Sequence, residues 1–160
     1  MTFKDVRENV VEAGEALGEF SCLSADEMLA LGEKLGEALF PGDVVLLRGE
    51  LGAGKTVFAK GVAAARGICP EQVTSPSFTL MNVYRGRDVL CHIDLYRLDD
   101  AEGFERAGLL DVFGTNAIVI VEWPDRVEEV FRGMSRYDVQ IDLPTKSSRR
   151  VKIKRINEGG

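Results

Sequence analysis

Two spacings organise the apolar positions of this chain. Val6, Val10, Ala13 and Leu17 recur at helical spacing and predict a helix over residues 5–19, weakened by Gly14 and Gly18. A second helix is better marked. Ser24 can cap it, Glu27 follows three residues later as in a capping box, and Met28, Leu31, Leu35 and Leu39 form one stripe that ends at Pro41-Gly42. Val44 to Leu47 is then apolar without interruption, which predicts a strand buried on both faces. Helix-compatible sequence runs from Lys55 to about Arg66. Strands are predicted at Phe78 to Tyr84 and Val89 to Ile93, a helix at Ala101 to Ala107, a buried strand at Ala117 to Val121, and a helix at Asp125 to Phe131. The end changes period. Val139, Ile141 and Leu143 alternate with Asp138, Gln140 and Asp142, and after Pro144 to Ser148, Val151 and Ile153 alternate with lysines. That pattern predicts an antiparallel hairpin over 137–156.

Strands alternating with helices predict an α/β layer fold: a mostly parallel central sheet with antiparallel strands at its margins. The 160 residues fit one domain, with 1–20 as an N-terminal extension. The longest apolar run is five residues, Ala117 to Val121, so no membrane-spanning helix is expected, and no signal peptide is evident. The net charge of −6 is uneven. Residues 146–160 hold six basic side chains against Glu158, which leaves 14 basic and 25 acidic residues before them, a balance of −11. An acidic body grips a phosphate backbone poorly, so any contact with nucleic acid is expected through a partner. Cys22, Cys69 and Cys91 form no Cys-x-x-Cys pair and read as free thiols in a reducing cytoplasm. A single histidine, His92, argues against zinc chemistry.

Gly49-Glu50-Leu51-Gly52-Ala53-Gly54-Lys55-Thr56 fits G-x-x-x-x-G-K-[ST], with a buried strand before it and a helix after it. Glycines let backbone N–H groups converge on phosphate oxygens at a helix N-terminus. Lys55 can reach the β- and γ-phosphates, and the Thr56 hydroxyl can ligate Mg²⁺. Two acids close apolar strands, Asp94 after Val89 to Ile93 and Glu122 after Ala117 to Val121. Carboxyl ends of parallel strands are where ligands sit, so both are expected to face the phosphates. The pattern leaves open which acid holds a metal and which orients water. Thr74 to Thr79 is a hydroxyl-rich loop of the kind that closes over a γ-phosphate. The absence of Asn-Lys-x-Asp disfavours a GTPase.

These motifs together resemble the bacterial TsaE (YjeE) family of tRNA threonylcarbamoyladenosine biosynthesis ATPases. The likeness runs from about Asp26 to Arg132 and is carried by Leu31-Gly32, Gly42-Asp43, the loop Gly49 to Thr56, Val73 to Leu80, His92-Ile93-Asp94-Leu95-Tyr96-Arg97-Leu98 and Val121-Glu122-Trp123-Pro124. The resemblance implies a P-loop NTPase three-layer fold and a weak Mg-ATPase. It would serve as accessory subunit to TsaD and TsaB in modifying position 37 of tRNA. It further implies that Gly49 and the segment Gly52, Ala53, Gly54, Lys55, Thr56 and Val57 hold phosphates. Thr56 and Glu122 would lie on the magnesium side, and Lys55, Asp94 and Glu122 would be catalytic. Trp123 would lie beside the nucleotide, and Ser75 to Thr79 would form a switch-like loop with Thr79 near the ligand. Two positions depart from the family. Val57 stands where a second threonine is usual, and Met28 stands where a threonine often meets the base, with Ser24 or Ser21 as substitutes.

Two other readings use the same loop. A small-molecule kinase would need an acceptor site and lid arginines, for which Arg85 and Arg87 are the candidates. A nucleotide-dependent adaptor would bind ATP and a partner without releasing phosphate.

Overall fold

The computed structural model describes residues 15–158. Seven strands and four α-helices follow in the order β1 (Glu15–Cys22), α1 (Ala25–Ala38), β2 (Val44–Arg48), α2 (Lys55–Ala65), β3 (Met81–Arg85), β4 (Val89–Asp94), α3 (Ala101–Arg106), β5 (Ile118–Glu122), α4 (Glu128–Phe131), β6 (Arg136–Thr145) and β7 (Ser148–Ile156). The strands form one mixed sheet in the order β1-β7-β6-β2-β5-β4-β3. Its four central strands, β6, β2, β5 and β4, run parallel, while β3 on one side and β7 with β1 on the other are antiparallel. This is the α/β arrangement expected from the sequence.

The apolar run of β2 explains the three layers. Val45 and Leu47 face one cluster with Leu31, Leu35, Phe58 and Val62 of α1 and α2. Val44 and Leu46 face the other, with Phe104 of α3 and Phe131 of α4. Each fully buried side chain of this kind contributes about 1.5–3 kcal/mol. α1 begins at the predicted cap: the Ser24 hydroxyl accepts from Glu27 N at 3.1 Å, while the Glu27 carboxylate reaches back one residue beyond the cap and accepts from Leu23 N at 2.6 Å.

Three expectations change. The helix predicted over 5–19 is a strand from Glu15 onward, paired with β7; its earlier part lies outside the described residues, as does most of the proposed extension. The strand predicted from Phe78 begins at Met81, because Leu80 N turns back to Pro76 O at 2.8 Å with Leu80 in the left-handed region. The helix predicted from Asp125 opens as a 3-10 turn, Pro124–Val127, before α4. Among the described residues, no helix is long and apolar enough to cross a membrane.

Candidate nucleotide site

The glycine-rich loop joins β2 to α2 at the carboxyl edge of the parallel strands. Gly52 and Gly54 adopt φ of +79° and +106°, left-handed values that a side chain resists. Gly54 is the N-cap of α2 and offers no side-chain cap. The first-turn amides of such a helix lack intrahelical partners and stand ready for an anion.

Lys55 folds over this loop. Its Nζ donates to Gly49 O at 2.6 Å and Glu50 O at 2.9 Å and lies 4.1 Å from the centre of the Trp123 ring. Burial lowers the pKa of the ammonium, against the opposing pull of Glu122, Asp94 and Asp125.

The two strand-end acids lie side by side, since Asp94 of β4 and Glu122 of β5 are register partners. Both are buried, 4% and 3% exposed, and they have different neighbours. Glu122 takes the Thr56 hydroxyl at 3.3–3.4 Å and the buried His92 Nε2. Asp94 accepts from Tyr96 N at 2.9 Å and from the Ser75 hydroxyl at 3.1 Å. A cavity of about 320 Å³ opens between them, lined also by Gly52, Gly54, Lys55, Val57 and Trp123. The donors that converge there are a hydroxyl and carboxylates. That set suits a hard cation which shares its coordination with phosphate oxygens and water. Among the described residues, no cluster of three His, Cys, Asp or Glu side chains could hold a metal by itself.

Trp123 takes φ +60° and ψ +47°, a left-handed conformation that costs a non-glycine residue about 1–3 kcal/mol. The turn lays its ring 4.9 Å from that of Tyr96 and over Lys55.

Not every expected site residue reaches this cavity. Of the hydroxyl-rich loop, only Ser75 lines it. Thr79 instead donates to Asn82 at 3.2 Å in an exposed turn. Gly49 lines a neighbouring groove of about 640 Å³ with Arg48, Tyr96 and Trp123. Met28 and Ser24 lie together in a third cavity, about 190 Å³, against Gly54 and Val57; Ser21 does not line it. Arg85 pairs with Val89 at the amino end of β4, and Arg87 donates to Ala65 O at the far end of α2. Both lid arginines of the kinase reading are thus remote from the loop.

Two residues were missed. His92 had been weighed only as a zinc ligand, although it shares a strand face with Asp94 two residues on. Arg149 enters the sequence reading only as one of the six basic side chains of 146–160, although it falls on the same strand face as Val151 and Ile153, the two core positions of β7.

The family described as "Threonylcarbamoyl adenosine biosynthesis protein TsaE" matches residues 22–152. Curated proteins named tRNA threonylcarbamoyladenosine biosynthesis protein TsaE are similar. That of Treponema pallidum is 43% identical over 121 residues, covering 75% of this chain and 86% of its own length. That of Mycobacterium bovis is 37% identical over 135 residues, 79% of each. Among solved structures, Bacillus subtilis YdiB superposes with a TM-score of 0.72 at 26% identity, covering 92% of this chain and 90% of its own.

Proposed function

This chain belongs to the TsaE family of tRNA threonylcarbamoyladenosine biosynthesis proteins, and on that footing we propose that it binds Mg-ATP in the 320 Å³ cavity and hydrolyses it as an accessory subunit of a TsaB–TsaD-type carbamoyltransferase. The observation that carries the reading is the convergence of Lys55, Thr56, Asp94 and Glu122 on one cavity beside the first turn of α2. Lys55 and the loop amides hold the phosphates. Thr56 and Glu122 would hold the metal, which would supply charge neutralisation at the phosphate oxygens. Asp94, tied to Ser75 and to the Tyr96 amide, orients the attacking water and links it to the loop over 74–79.

Hydrolysis is proposed rather than kinase chemistry because the candidate lid arginines lie at the other end of the sheet. An acidic body agrees with indirect contact to tRNA through the partner pair.

Phosphate release from Mg-ATP, by the chain alone and with purified TsaB–TsaD-type proteins, tests this directly. Release that rises with the partners and vanishes in Lys55→Ala is expected. Binding of ATP and partner with no release in either condition would replace the ATPase by a nucleotide-dependent adaptor.

A further inference from the structure

Two arginines of the basic C-terminal strand lie off its surface row, Arg155 over the Tyr137 ring and Arg149 at the opposite end of the strand. Arg150, Lys152 and Lys154 point to solvent, whereas Arg149 points the other way, under the glycine-rich loop. Its Nε donates to Ala53 O at 3.0 Å and its Nη2 to Gly52 O at 3.2 Å. Its Nη1 donates to Lys146 O and Ser148 O at 3.3 and 3.1 Å, which fixes the guanidinium against its own turn. At this position β7 pairs with β1, Arg149 opposite Cys22, beside a shift in the β6–β7 register between Asp142 and Thr145. Among the described residues, Arg149 forms no ion pair, unlike Arg150, which pairs with Glu19.

We infer that Arg149 is a positioning residue for the nucleotide's phosphates, acting through the two loop carbonyls it grips. This role presupposes the nucleotide function proposed above and follows from peptide geometry. In a trans peptide the carbonyl and the following N–H point in opposite directions. Drawing Gly52 O and Ala53 O toward the guanidinium therefore turns the Ala53 and Gly54 N–H groups away from it. The Ala53 N–H closes the loop's inner turn on Glu50 O at 3.0 Å. The Gly54 N–H belongs to the helix end that faces the cavity. A rigid planar fork that meets two successive carbonyls fixes both peptides in one geometry, whereas a lysine at this position would offer a flexible point charge without the fork's fixed directions. Among the described residues the guanidinium has only carbonyl partners, so its charge stays uncompensated on the other side of the loop, where it lines the smaller cavity with Ser24 and Met28.

Calorimetric titration of AMP, ADP and ATP, each with Mg²⁺, into the whole chain tests the assignment. The proteins compared are the wild type, Arg149→Ala, Arg149→Lys and the surface control Arg150→Ala. The expected result is an affinity loss in Arg149→Ala of about tenfold or more for ADP and ATP, and clearly less for AMP, which reaches least of the loop. Arg149→Lys should keep most of that defect, and Arg150→Ala should stay within about twofold of wild type. Thermal midpoints without nucleotide accompany each titration, and Arg149→Lys carries the test if Arg149→Ala does not fold. Equal loss for all three nucleotides would overturn the inference by placing Arg149 at the base or sugar, and unchanged ADP affinity in the folded variants would overturn it outright. A wild type that binds none of the three would instead remove the nucleotide reading itself.

Discussion

Glu122 is held from two directions: Thr56 meets it from the start of α2, and His92 meets it from the neighbouring strand. The imidazole is fully buried, and because a carboxylate only accepts, it is Nε2–H that it presents to Glu122. Such supporting donors typically account for about 10–100-fold in metal affinity or activity. His92→Ala should therefore raise the Mg²⁺ concentration needed for half-maximal phosphate release by about tenfold. An unchanged Mg²⁺ requirement in a folded variant would limit His92 to packing. Asp94 belongs to the other half of the site. Asp94→Asn should lower turnover far more than ADP affinity, measured side by side; equal losses would remove its proposed hold on the water. At this scale the sequence was informative where a motif or a strand end marks the residue, as at Lys55, Thr56, Asp94 and Glu122. Arg149 stayed hidden because a cation in an alternating strand reads as solvated until its side of the sheet is known.

Between α1 and α2 the backbones approach closely. A Cβ on Gly61 would collide with Leu29 O and lie 2.9 Å from Glu33 N, and one on Gly32 would collide with Phe58 O. The crossing positions the helix whose first turn lines the candidate site. Gly61→Ala should cost about 1–3 kcal/mol of stability, seen as a lower denaturant midpoint, because backbone rather than a side-chain tip must yield. A midpoint equal to wild type would show that the helices separate freely. The misread first strand has a physical cause at this same scale. The β1–β7 register slips between Ala16 and Gly18, so that Leu17 and Phe20 both pack on the core. A bulge resets the two-residue alternation there, which hides the strand from a period-two reading. Val44–Arg48 and Ile118–Glu122 carried no such irregularity and were legible from their apolar runs alone.

Across the whole molecule, charge is sorted by place. Arg150, Lys152 and Lys154 line the outer row of β7, while the buried acids gather at the candidate site. One ion-pair network ties three separate elements together. Arg48 of β2 meets Glu128 of α4 through two contacts of 2.7 Å and Asp138 of β6 at 3.2 Å. Hydrogen bonding from Arg48 lowers the Glu128 pKa below its ordinary value, with the nearby positive charges of Arg48, Arg136 and Arg132 adding to the effect. A depressed carboxylate stabilises the fold above its unfolded pKa, about 4.3, and loses that contribution as pH falls through the lower folded value. The wild type should thus lose more stability than Glu128→Gln between about pH 5 and pH 3. With Glu128 partly exposed, the difference is at most about 1 kcal/mol. Parallel acid-unfolding curves would contradict it.

The claim that organises all of this is that one cavity, at the carboxyl edge of β2, β4 and β5, takes Mg-ATP through Lys55. Calorimetric titration of Mg-ATP into the wild type and Lys55→Ala measures it most directly. The account predicts saturable binding at one site per chain, lost in the variant. Equal binding by both proteins would contradict it, because the ligand would then lie somewhere other than the glycine-rich loop.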